Sequence, residues 1–120
     1  MTVPEALDAV VAELVAVGLP ATRDAGAFFP APIGVLVGMP SLVATGLASR
    51  TLEVPVHVVS ADPPSPSVLA LMYAAADDAA AALQTNTYQA TTWSNGVNAE
   101  PLPALNLLVT VTIDNTPEVI

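Results

Sequence analysis

Two stretches of the chain place an apolar residue at every second position, and they constrain the fold more than anything else in it. In residues 47–60, Leu52, Val54, Val56 and Val58 fall on one side of an extended strand, while Thr51, Glu53, Pro55 and His57 fall on the other. In residues 105–113, Leu105, Leu107, Val109, Val111 and Ile113 share a side in the same way. Each strand therefore buries one face only, and that face needs a cover of helices. Pro55 brings no N–H to a ladder, so its strand is expected at a sheet edge or at a bulge.

The helices are legible from their ends. Thr2-Val3-Pro4-Glu5 has the form of a capping box with proline in the first turn. Leu7, Val10, Val11, Leu14 and Val15 then recur at three- and four-residue spacing until Gly18, Leu19 and Pro20 stop the helix. Ser65 and Pro66 make an N-cap and first-turn pair for a second, alanine-rich helix reaching Gln84. Its stripe reads Leu69, Met72, Ala76, Ala79 and Leu83, with Asp77 and Asp78 toward water. Between the helices, residues 21–24 read as extended, Phe28-Phe29-Pro30-Ala31-Pro32 as a loop, and residues 33–39 as a strand. Residues 88–94 read as a further strand, joined to the last by a loop holding Asn95-Gly96 and Pro101-Leu102-Pro103. Strand, helix and strand across residues 47–94 form a βαβ unit with parallel strands, to which the last strand adds an antiparallel one. The expectation is one α+β domain over residues 1–120, a mixed four- to five-stranded sheet with two helices packed on one face. Residues 115–120 read as a loose tail.

Charge narrows the function. Eleven acidic residues face only Arg23 and Arg50, for a formal charge of −9, and phosphate contacts need several cations, so electrostatic nucleic-acid binding is excluded. With 53% hydrophobic and 11% charged residues, a chain of 120 residues is too apolar for an ordinary soluble monomer. Residues 25–49 carry no charge and are long enough to span a bilayer, but three prolines and four glycines break any lipid-facing helix there. That segment is expected as strand and loop covered by other subunits. Glu5, Asp8 and Glu13 interrupt the start of the chain, which therefore lacks the pattern of a signal peptide, and an intracellular product is expected.

Residues able to carry chemistry are few. His57 shares a strand face with Glu53 and is the one candidate acid–base group, yet no serine lies in a nucleophile-elbow context, and a surface or interface role is expected. Asp77 and Asp78 point about 100° apart on a helix and do not make a metal site. No lysine and no phosphate-loop pattern are present. Catalytic, cofactor-binding and metal sites are accordingly expected to be absent, and no cofactor is expected. Arg23 and Arg50 are read as pairing with carboxylates, within the subunit or across an interface. The expected subunit interface combines them with Phe28, Phe29, Ile33, Leu36 and Met39, while Trp93 is read as core.

The order of these elements resembles a known family. The helix opening on Pro4-Glu5-Ala6-Leu7, the proline-punctuated segment after it, the strand Leu52-Glu53-Val54-Pro55-Val56-His57-Val58-Val59, the helix after a proline-rich turn, and the closing Leu107-Leu108-Val109-Thr110-Val111-Thr112-Ile113 are similar to the tail terminator proteins of long-tailed actinobacterial bacteriophages. The resemblance covers most of the chain and is architectural. It implies a homo-oligomer, a hexameric ring that caps the finished tail tube, touching the tail tube protein and the head-to-tail connector. DNA would pass through the lumen without specific binding; for such a ring, the abundance of acids over Arg23 and Arg50 leads to the expectation of a lumen lined by carboxylates. The protein would assemble in the host cytoplasm and end in the virion, away from any membrane. Head-completion or other neck and tail proteins share this topology. A small α+β enzyme or ligand-binding domain built on His57 and Glu53 is the alternative from another class, and a membrane-associated protein a third.

Overall fold

The structure, a computed structural model of the chain, describes residues 2–24, 28, 33–45, 49–62, 65–85, 88–93 and 102–114. Its elements in order are α1 (Val3–Ala16), β1 (Ala21–Thr22), β2 (Ile33–Val37), β3 (Ser41–Thr45), β4 (Ser49–Ser60), α2 (Pro66–Leu83), β5 (Tyr88–Trp93) and β6 (Leu102–Asp114).

Both helices begin and end as their sequences dictate. Thr2 Oγ1 accepts from the Glu5 N–H at 3.3 Å and Ser65 Oγ from the Val68 N–H at 3.2 Å, each cap contributing about 1 kcal/mol. At the end of α1, Gly18 takes φ +87°, its N–H reaches Val15 O, and the Leu19 N–H reaches Leu14 O. This double closure needs a residue free to turn left-handed, which is why glycine stands there. α2 closes on Gln84, which holds φ 57° without being glycine.

The described residues form a mixed sheet of six strands in the order β1-β2-β4-β6-β5, with β3 beside β4. It exceeds the expected four or five strands because the segment before β4 supplies two of them and residues 21–22 a short third. β4 and β5 each run antiparallel to β6, so they are parallel to each other, with β6 lying between them. β6 starts at Leu102, so Leu102 and Pro103 belong to it and not to the preceding loop.

Pro55 is placed differently from expectation. β4 is a central strand, paired with β6 from Ser49 to Val59. On its other side, β2 covers residues 56–60 and β3 residues 50–53. Pro55 falls in the gap where the partner changes, so its missing N–H costs no ladder bond, and its carbonyl accepts from the Gly38 N–H at 2.8 Å. The approach is tight enough that a Cβ on Gly38 would sit 3.0 Å from Pro55 Cγ.

Both helices cover one face. Leu7, Val10 and Leu14 of α1 and Met72, Ala76 and Ala79 of α2 pack on Val35, Val54, Val56, Val58, Leu105 and Leu107, each leucine or valine adding about 1.5–3 kcal/mol by leaving water. The α2 stripe is rotated from the expected one. It runs through Val68, Met72, Ala75, Ala76, Ala79, Ala80 and Leu83, while Leu69 stays 40% exposed. Alanine on every side of a helix leaves its buried face undetermined by spacing, and Met72 touches position 68 as readily as 69. Val15 is likewise exposed.

Candidate interface

Among the described residues no helix lies on the far face of the sheet. That face carries Thr51, Glu53, Pro55, His57 and Val59 from β4, the even-numbered residues of β6, Leu36 from β2, and Gln89, Thr91 and Trp93 from β5, as their pairing registers require. At one end Phe28, Leu36, Val59 and Ala104 form a small second core, with Trp93 and Leu102 against it. The Phe28 and Trp93 rings meet edge to face, 5.1 Å between centroids at 82°.

The expected interface residues therefore separate. Phe28 and Leu36 are buried by this chain's own residues, at 6% and 5% exposure, so they supply core and no free surface. A proline-flanked apolar loop reads as exposed in sequence; here its phenylalanine folds back onto the sheet. Ile33 is half-buried against the main core, on the helix side. Met39 is 85% exposed and remains available. Phe29 lies outside the described residues. Arg23 pairs with Asp8 inside the subunit, Nε to Oδ1 at 2.6 Å, a surface ion pair contributing about 0–1 kcal/mol. Arg50 has no such partner: its Nε is buried without a hydrogen bond among the described residues.

His57 and Glu53 do share the open face, but Pro55 stands between them, and four residues of strand put them about 13 Å apart. They do not meet as an acid–base pair. His57 instead faces Asn106 across the β4–β6 ladder, and His57 Nδ1 and Asn106 Oδ1 are both buried without hydrogen bonds among the described residues. Burial holds the His57 pKa below its ordinary 6.5. Asn106 could not be singled out from sequence, since only the register brings it beside His57. Asp77 accepts from the Tyr88 hydroxyl at 3.3 Å, which joins α2 to β5. Among the described residues no three His, Asp or Glu side chains cluster to hold a metal.

Apolar side chains remain exposed on several elements: Met39, Leu42 of β3, Leu71 and Tyr73 of α2, and Leu108 of β6. An open groove of about 390 Å³ lies between α1, the end of α2 and β6, walled by Ala6, Ala9, Val10, Glu13, Leu83 and Val109. Among the described residues no helix is long and apolar enough to cross a membrane, and the uncharged segment contributes β2 and β3 instead. Comparison with protein-family models, with curated proteins and with solved structures yields no match to this chain.

Proposed function

We propose that the chain is a structural subunit of a bacteriophage tail, a terminator that assembles into a ring on the end of the tail tube and meets the head-to-tail connector. The observation that carries the reading is the spread of exposed apolar side chains over separate elements, with Leu42 at 59%, Leu71 at 51%, Leu108 at 51% and Met39 at 85% exposure. A ring subunit has a neighbour on each side and further partners above and below, so it buries several separate patches, whereas an enzyme concentrates its exposed chemistry in one cleft. The helix–sheet order also supports the resemblance drawn from the sequence. Within the same assembly, a neck or head-completion role uses the same surfaces. The test is sedimentation of the purified protein together with electron microscopy. Closed rings that decorate the ends of tail tubes are the expected result; a monomer at all concentrations, with no association to tubes, refutes the proposal.

A further inference from the structure

One end of the sheet consists of β3, β4 and the second half of β6, and among the described residues it has two bare edges. β5 pairs with β6 only up to Leu107, after which β6 continues to Asp114 against β4 alone among the described residues. β3 pairs with β4 and, among the described residues, with no other strand. The outward groups on β6 follow from two hydrogen bonds. Leu108 O accepts from Thr85 Oγ1 at 3.3 Å, and its cross-strand partner Pro55 turns its own carbonyl to Gly38. Both point away from the ladder between them, so Thr110 and Thr112, in phase with Leu108, also aim N–H and C=O outward. An edge of this kind, free of lysine and proline, is a template for another strand.

We propose that β3 of a second copy pairs with this edge of β6 at Thr110 and Thr112, and seats its Leu42 in the groove between α1, the end of α2 and β6. Leu42 is 59% exposed and lies opposite Leu52, on the helix side of the sheet. A sheet continued across the joint keeps that side, which brings Leu42 over Ala6, Ala9, Val10 and Val109, whose small side chains leave the groove open. Ser41-Leu42-Val43-Ala44-Thr45 contains no charge, so β3 leaves water without burying an ion. Pairing β6 with β6 would instead leave β3 without a partner strand and the groove unfilled. The joint also brings no like charges together: Glu13 stands on the groove wall, and the β4 arm that carries β3 holds Arg50.

β3 and β6 both run antiparallel to β4, so the joint is a parallel pair. The two edges lie on opposite sides of the same arm, so every copy gives one and receives one, which closes as a ring or grows as a filament. The bulge between Leu42 and Ala44 bends β3, so the sheet continues curved across the joint. This inference rests on the proposed ring only in that copies of the chain assemble; it names where.

The experiment uses Thr112→Pro, which removes an outward N–H, and Leu42→Lys, which puts a charge on the donor strand. The parent should sediment as a multimer, and each variant as a monomer with unchanged circular dichroism. A one-to-one mixture of the two variants has one intact joint per pair and should form a dimer and nothing larger. If Thr112→Pro loses its fold, Thr110→Lys at the same exposed edge takes its place. Variants that assemble like the parent overturn this joint while leaving the ring proposal standing, and a Leu42→Lys protein that dimerises by itself overturns it by showing that β6 pairs with β6. A parent that stays monomeric at all concentrations overturns both.

Discussion

Replacing Phe28 by alanine separates a core role from an interface role. Phe28 is 6% exposed, its ring meets Trp93 edge to face, and among the described residues the cluster around it is small, with Leu36, Val59 and Ala104 buried beside it. Phenylalanine-to-alanine changes in cores cost about 3–5 kcal/mol, and a small cluster at the sheet surface relaxes more readily than a deep one, so about 3 kcal/mol is expected. At about 2.1 cal/mol/K per residue, a chain of 120 residues unfolds with an entropy of about 250 cal/mol/K, so the melting temperature should fall by about 12 °C. Melting followed by circular dichroism, at two protein concentrations tenfold apart, measures it. A core residue lowers the melting temperature by the same amount at both. A fall of less than about 3 °C, or one that appears only at the higher concentration, refutes the placement of Phe28 within its own subunit.

Two further outcomes follow from the β4 strand. Gly38→Ala puts a methyl 3.0 Å from Pro55 Cγ and 3.3 Å from His57 Nε2; overpacking of about 1–3 kcal/mol exceeds the gain of about 0.4–1 kcal/mol from a stiffer unfolded chain, so the urea midpoint should fall, by about 1 kcal/mol in stability, and a raised midpoint contradicts the close approach. Because burial depresses the His57 pKa, the unfolded chain binds more protons between pH 6.5 and the folded pKa, so stability is complete above pH 6.5 and is lost as the pH falls through that window. Denaturation at about pH 7.5 and about pH 5.5 should show this difference, and His57→Gln should remove it; an equal pH dependence in the variant contradicts the burial.

Sequence reasoning succeeded where one local rule decides the outcome by itself. The caps at Thr2 and Ser65, the left-handed Gly18, and the alternation through Leu52, Val54, Val56 and Val58 are each decided by near neighbours along the chain. The failures share a cause too. Pro55 excludes a ladder bond, which is compatible with an edge, a bulge or a change of partner, and only the positions of β2 and β3 select the third. Leu69 and Val68 are equivalent in an alanine-rich helix until the sheet chooses between them. Phe28 reads as an interface residue because its loop does not reveal that Trp93 stands on the open face to receive it. The bare edge of β6 is invisible in sequence, since it arises from β5 being shorter than the strand it pairs with.

The register also decides what a lumen in this protein would look like. Acids were expected to line a channel for DNA, yet the open face of the sheet bears, among the described side chains, only Glu53 and His57 as ionisable groups, surrounded by Thr51, Thr91, Thr110 and Thr112. The other described carboxylates stand elsewhere: Glu5, Asp8 and Glu13 on α1, Asp77 and Asp78 on α2, Asp24 and Asp62 in the connections. Asp8 is already neutralised in part by Arg23. In the proposed ring, then, an acidic lumen requires the helices to face inward, and it would keep a moving polyanion off the wall by repulsion within roughly a Debye length, about 8–10 Å at physiological salt. With the sheet facing inward the described side chains make a hydroxyl-rich wall, and among them no arginine draws phosphate to it. Both orientations meet the mechanical need. Among the described side chains the acids are therefore concentrated on the helix layer, and their contribution to passage depends on which layer turns to the axis.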